Sequence, residues 1–192
     1  MLAQSDFPIS PEELLEKTRL VLRKDSGVLD PSLWANDFEF CAPIIGPLGK
    51  EEFLEAAGGF NIYDAFPDFD NRYYNLNVDP FEPGRVWFFT RLVATHTGKL
   101  FGKEPSGDNV QLPPQVFSLK FTPQGLVKEL TVGYVVDRRQ GNTGGLGGMF
   151  GVFWKVGQGL PFREARPYKP SLTFRLFGWI GRQVSKLKKK ET

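Results

Sequence analysis

Between residues 72 and 137 apolar side chains recur at every second position, in four runs separated by turn-forming residues. The runs are 72–78, 85–97, 115–122 and 126–137, and a period of two is the signature of extended chain with one face turned inward. Residues 80–84 and Pro123-Gln124-Gly125 supply turns, and a longer polar connection fills 98–114. In the run 85–97, Val86, Phe88, Thr90, Leu92, Ala94 and His96 share one face. Trp87, Phe89, Arg91, Val93 and Thr95 share the other. Both faces are largely apolar, so this run reads as a central strand covered on both sides. The expected sheet is a long antiparallel meander.

Before residue 72 the period is helical. Ser10-Pro11-Glu12-Glu13 is a helix start, with Ser10 as cap, Pro11 in the first helical position and Glu13 completing a capping box. Leu14, Leu15, Thr18, Val21 and Leu22 fall on one face, and Asp25-Ser26-Gly27 ends the helix. Pro31-Ser32-Leu33-Trp34 reads as a turn, and Phe38, Phe40 and Ala42 alternate as a short strand. A loop over 43–49 leads to a second helix over 50–60, with Phe53, Leu54 and Ala57 inward. Residues 61–70 carry Tyr63, Phe66 and Phe69 among acids, as a short helix or ordered loop. Helices followed by a meander predict an α+β fold: a cone-shaped barrel of N-terminal helices packed on a strongly curved, mainly antiparallel β-sheet. One domain is expected over 1–160, followed by a basic amphipathic extension over 161–192.

The rare residues exclude whole classes of chemistry. With one cysteine, Cys41, there is no internal disulfide, no CxxC motif and no multi-cysteine zinc site. With one histidine, His96, one chain cannot build a two-histidine zinc helix or a two-histidine-one-carboxylate iron site. No metal or cofactor is expected, and Cys41 reads as a small buried hydrophobe. No stretch approaches ~20 uninterrupted apolar residues, and the N-terminus has no charged segment leading into an apolar one. The expectation is an intracellular protein, soluble or peripheral to a membrane, with cytoplasm and organelle stroma both open. Of 27 aromatic residues 18 are Phe, which predicts aromatic walls in a packed core or a pocket.

Charge is unevenly placed. Residues 163–192 hold nine Lys/Arg and two Glu, a net +7; the remainder holds fifteen Lys/Arg and twenty Asp/Glu, a net −5. Leu176, Phe177, Ile180, Val184 and Leu187 lie at helical spacing in this basic segment, with Arg175, Arg182, Lys186 and Lys188 mainly off the stripe. Such a segment packs on its own domain, docks on an anionic membrane surface or an acidic protein, or is simply a solvated terminus. Nucleic acid is not expected, because the basic residues are confined to a tail without a recognised motif. The glycine-rich run 141–148 lacks the Gly-Lys-Ser/Thr of a phosphate loop and reads as a tightly turning or flexible loop. Phe150, Val152, Phe153, Trp154 and Val156 follow as a lid or edge strand.

Three features together resemble the nuclear transport factor 2-like superfamily, and within it the SnoaL-like polyketide cyclases and ketosteroid isomerase-like domains. One is the N-terminal helix, Trp-containing turn and Asp37-Phe38-Glu39-Phe40 strand. Another is Thr95-His96-Thr97-Gly98 before a polar loop with Ser106-Gly107. The last is the strand after Gly125, then Asp137 and a run ending Leu146-Gly147-Gly148. The resemblance spans roughly residues 10–150. It implies helices around a strongly bent sheet enclosing an apolar pocket, in a superfamily of cyclases, isomerases, dehydratases and non-catalytic binding modules.

It also implies site residues. Cyclases of this type carry Gly-x-Ile-x-Glu-x-Trp, with a catalytic Asp four residues after the Trp. Here Gly125, Val127 and Glu129 fit, Thr131 stands for the Trp, Val135 stands for the Asp, and Asp137 follows on the same strand face. Asp137 is therefore the candidate general acid or base, its pKa raised inside an apolar cone, with His96, Tyr134 or Tyr74 as hydrogen-bond donor. The alternative is a strand-end Asp paired with Arg138 or Arg139, and His96 as a structural clip of the turn. Trp87, Phe89, Phe117 and Phe121 are candidate ligand walls or core, and Arg91 either pairs within the sheet or holds a ligand carboxylate. The implied function is binding of an apolar small molecule, with cofactor-free cyclisation or isomerisation by proton abstraction. The alternative is a non-catalytic accessory subunit that docks through its sheet face and residues 170–192. A homodimer through the sheet is the implied assembly.

Overall fold

A computed structural model describes residues 6–59 and 62–188, with the side chains of 183–188, and so Val184 and Leu187 of the stripe and Lys186 and Lys188 beside it, outside that description. Helix α1 (Pro11–Arg23) begins as its sequence dictates, the Ser10 hydroxyl accepting the Glu13 N–H at 3.2 Å. Leu14, Thr18, Val21 and Leu22 are its buried face. Thr18 is satisfied there by donating to the Leu14 carbonyl at 2.8 Å. Two 3-10 turns follow, Asp25–Gly27 and Pro31–Leu33, and lead into β1 (Trp34–Cys41).

The main sheet has six strands in the order β2-β1-β8-β7-β4-β3. They are β1, β2 (Leu48–Gly49), β3 (Tyr74–Val78), β4 (Arg85–Thr90), β7 (Gln115–Phe121) and β8 (Val127–Val135). The meander is antiparallel from β3 to β8, but β1 lies parallel to β8, with Phe40 opposite Leu130 and Cys41 opposite Thr131. The mainly antiparallel α+β cone is thus closed by one parallel pair. Helix α2 (Lys50–Gly58) packs on β1, and α3 (Ile62–Ala65) follows it.

The run 85–97 is not one strand. After Thr90 the chain leaves the main sheet: the Arg91 N–H donates to Asn71, and Val93 exchanges backbone hydrogen bonds with Asp70. Residues Val93–Thr95 then form β5, paired with β6 (Asn109–Gln111) in a separate two-stranded sheet. Val86, Phe88, Thr90, Leu92, Ala94 and His96 are all buried, so their alternation carries through the break. The other face of β4 is only partly covered, against the expectation for a two-sided central strand. The segment read as a lid or edge strand is helix α4 (Gly148–Lys155), with Val152 and Phe153 buried. Met149/Phe153 and Val152/Val156 are pairs four apart that share a helical face.

Two hydrophobic clusters result. The first joins α1 to the inner face of the main sheet through Leu14, Val21, Trp34, Phe38, Val86, Phe88, Leu119 and Leu130. The second joins α3, the small sheet and α4 through Phe66, Leu92, Leu100, Val110 and Phe153.

Candidate functional site

The 3-10 turn after α1 holds the most strained backbone described. Asp25 and Ser26 lie in the left-handed region at φ 51° and 57°, and Gly27 follows at 99°. For non-glycine residues that conformation costs about 1–3 kcal/mol each, and it persists only where the surroundings enforce it. Trp34 is the enforcing group. Its indole stacks on Phe38 at 4.2 Å, is buried, and donates from Nε1 to the Ser26 carbonyl at 3.0 Å. A Cβ at Gly27 would stand 2.0 Å from that Nε1. Gly27→Ala therefore combines a disfavoured φ with a steric clash, and is expected to destabilise the fold by about 2–4 kcal/mol, read from the urea midpoint.

The turn brings the Asp25 carboxyl onto Tyr63 and the Ser26 hydroxyl onto Tyr73, two tyrosines from other elements. Burial raises its pKa, opposed by a hydrogen bond donated by the Tyr63 hydroxyl. Tyr63, on α3, is pushed well above the ordinary tyrosine range by burial, then by its bond to Asp25 and that charge. The residue as a whole remains 44% exposed. Tyr73, just before β3, is pushed up to about 12, chiefly by burial, with the Asp25 and Asp70 charges adding to it. Its hydroxyl lies 3.5 Å from Ser26 Oγ. The Tyr73 ring meets Phe88 edge-on at 5.6 Å, and Phe88 meets Phe117 at 5.8 Å. A carboxyl that resists ionisation and two phenol donors thus crown an aromatic wall on the inner face of the sheet.

The residues singled out from the sequence lie elsewhere. Asp137, beyond the end of β8, is gripped by Arg139 through backbone N–H, Nε and Nη2 at 3.0, 3.0 and 3.2 Å. Hydrogen bonds from Arg139 and then Gln140 hold its carboxyl far below the usual range. That is the reverse of the raised pKa expected in an apolar cone, and it is the strand-end pairing with Arg139. Tyr134 is 43% exposed on the outer face, opposite Val116. Tyr74 lies opposite Phe89, and Phe89 opposite Val116, so these four make one outer row. His96 is buried in the second cluster, its ring 5.2 Å from Phe66. Nδ1 accepts the Ser106 N–H at 3.0 Å, while the Gly107 N–H donates to the His96 carbonyl, so the residue clips the loop to the strand end. These contacts do not join Asp137, His96 and Tyr134.

The four aromatic wall candidates divide between faces. Directly opposed residues in an antiparallel pair share a face. Phe117 opposes Phe88 and is inner, while Phe89 opposes Val116, one step away, and is outer. Phe121 is buried in the first cluster. Trp87 is outer and donates to Asp79 at 2.6 Å. Arg91 is exposed rather than buried in the sheet, and Cys41 is half-buried on the outer side. Only Phe117 of the wall candidates reaches the aromatic contacts beneath Asp25. The Asp25 cluster was missed because Asp-Ser-Gly after a helix reads as a stop signal, and its tyrosines come from separate elements.

Neither a family model nor a curated protein sequence matches the chain. Solved structures do. A proposed SnoaL-like polyketide cyclase from Jannaschia sp. CCS1 matches with a TM-score of 0.56 at 16% identity, over 82% of this chain and 98% of that one. AclR, a proposed hydroxylase from Streptomyces galilaeus, matches with a TM-score of 0.53 at 18% identity, over 91% and 98%. IdmH, a proposed polyketide cyclase from Streptomyces antibioticus, matches at 0.50 and 16%, over 62% and 90%. Likeness at this identity establishes the fold.

Proposed function

We propose that this chain, which has the SnoaL-like fold of the nuclear transport factor 2-like superfamily, binds an apolar carbonyl compound and moves a proton on it without a cofactor. The observation that supports this reading is the Asp25 carboxyl, raised in pKa and set against Tyr63 and Tyr73 over an aromatic wall. The ionised carboxyl takes a proton from the carbon next to the carbonyl. The electron pair moves onto the carbonyl oxygen, and the Tyr63 or Tyr73 hydroxyl donates a hydrogen bond to the developing enolate. Protonated Asp25 then returns the proton to another carbon, which isomerises the compound. Alternatively the enolate carbon attacks a second carbonyl of the same molecule, and the proton goes to the new alkoxide, which closes a ring. Phe117, partly buried and packed over the fully buried Phe88, supplies apolar surface.

The test is proton–deuterium exchange at the α-carbons of cyclic ketones and β-diketones, followed by nuclear magnetic resonance in deuterium oxide. Wild-type protein is expected to accelerate exchange over buffer, and Tyr63→Phe to reduce it about 10²-fold, the size of losing one oxyanion donor. No acceleration with any member of the panel would remove the catalytic reading and leave the wall as a binding surface.

A further inference from the structure

Helix α5 (Leu172–Lys188) leaves large apolar side chains uncovered. Leu172, Leu176, Phe177, Trp179 and Ile180 are all exposed, Phe177 at 69% and Trp179 at 54%, and Phe174 widens the apolar arc beyond Phe177. A contiguous exposed apolar surface marks an interaction site.

The arrangement around that surface selects the occupant. At about 100° per residue, Leu172, Leu176 and Ile180 run down its middle, with Phe177 on one flank and Trp179 on the other. Arg175 and Arg182 occupy the adjoining strip, beyond Trp179. A Cβ on Gly178 would stand 3.6 Å from Nη1 of Arg182, so this guanidinium lies back along the helix toward Arg175. The two arginines, Gly178 and Trp179, with Pro170 and the apolar Leu172, Phe174 and Leu176, line a hollow of about 500 Å³. An indole on the border between apolar face and cations fits the boundary between acyl chains and headgroups, where long cationic side chains reach lipid phosphates. Among the described residues no helix is long and apolar enough to cross a membrane. The charge polarity agrees: the +7 tail is drawn to an anionic surface that the −5 remainder is not.

We infer that α5 lies along the surface of an anionic bilayer. Its Leu172, Leu176 and Ile180 sit among acyl chains, Arg175 and Arg182 sit on lipid phosphates, and the folded domain is held on the water side. A protein groove would also cover an apolar face, but the indole-and-arginine border is what a headgroup layer satisfies.

The test is co-sedimentation of the full chain with vesicles of phosphatidylcholine alone and of phosphatidylcholine mixed with phosphatidylglycerol. The protein is expected to pellet with the anionic vesicles, weakly with the neutral ones, and less as salt rises. Arg175→Gln with Arg182→Gln is expected to weaken partition about thirtyfold. Phe177→Ser with Trp179→Ser is expected to reduce it at least as much. All four residues are exposed, so both double variants are expected to keep the wild-type melting temperature. No pelleting with anionic vesicles overturns the inference, as does equal binding to neutral ones. A lipid-free mass twice that of the monomer, lost in the Phe177→Ser/Trp179→Ser variant, assigns the face to a second copy and overturns it as well.

Discussion

Asp25→Asn is expected to make the protein more stable at neutral pH while lowering α-proton exchange by about 10²–10⁴-fold. One effect raises stability and the backbone does not oppose it. Asparagine occupies the left-handed region more readily than most residues, so the φ of 51° is no obstacle. It also removes a carboxylate whose burial disfavours its charge, yet its amide oxygen still accepts from Tyr63. The gain is expected to be about 0.5–2 kcal/mol, the usual scale when an activity-serving liability is relieved. Its pH dependence has a fixed sign. The folded-state pKa of Asp25 is raised above its unfolded value, so its contribution is fully present below the ordinary aspartate value of about 3.8 and is lost as pH rises through the folded value. The variant's advantage must therefore grow from about pH 4 upward and vanish in acid. Urea midpoints across that range, beside the exchange assay, check both halves. A less stable variant with unchanged exchange would remove Asp25 from the mechanism.

Arg85→Met is expected to cost about 2–3 kcal/mol, the scale for losing charge-assisted hydrogen bonds and below that of a fully buried ion pair, because Glu129 stays 26% exposed to water. Arg85 is 8% exposed, on the outer face of β4. It donates from Nη1 to Glu129 at 2.8 Å and to Ser118 at 2.7 Å, and from Nε to Glu82 at 2.6 Å. Ser118 bonds onward to Thr131 at 2.7 Å, so the network crosses β4, β7 and β8. Glu82 is more exposed and also meets Lys120, so Glu129 and Ser118 bear the loss. Adding Glu129→Gln to Arg85→Met is expected to recover part of the deficit, since the stranded charge goes with it. Urea melts of the two single variants and the double variant, at unchanged m-value, measure the coupling. Additive losses would show that the ion pair does not carry the stability.

What the sequence discloses here depends on how local the cause is. Ser10-Pro11 dictates the start of α1 because cap, proline and first turn are neighbours. The strands of the meander are equally legible, since alternation is a local pattern. The break at Arg91 and Leu92 is not, because alternation continues through it and only the distant backbone of Asp70 and Asn71 diverts the chain. Segment α4 was ambiguous because a short apolar run satisfies helix and strand alike. At the site, the two-residue displacement of Asp137 kept its strand face, but Arg139 captured the carboxyl, and a face argument does not see a neighbour two residues on. Asp25 acquires its chemistry only when α3 and the start of β3 deliver Tyr63 and Tyr73 to it.

The parallel pairing of β1 with β8 also bears on how the chain is made. Trp34, Phe38 and Phe40 leave the ribosome early, but the strand that covers their edge is among the last of the domain to emerge. The partners of β1 on that edge are Val127 to Thr131, so the edge waits while most of the domain is synthesised. Sheets closed by such distant partners fold slowly, because the loop entropy is lost before the contact forms. A nascent chain paused before Gly125 would present the ideal target for a chaperone that holds apolar strands, and release of β8 would be the event that frees it.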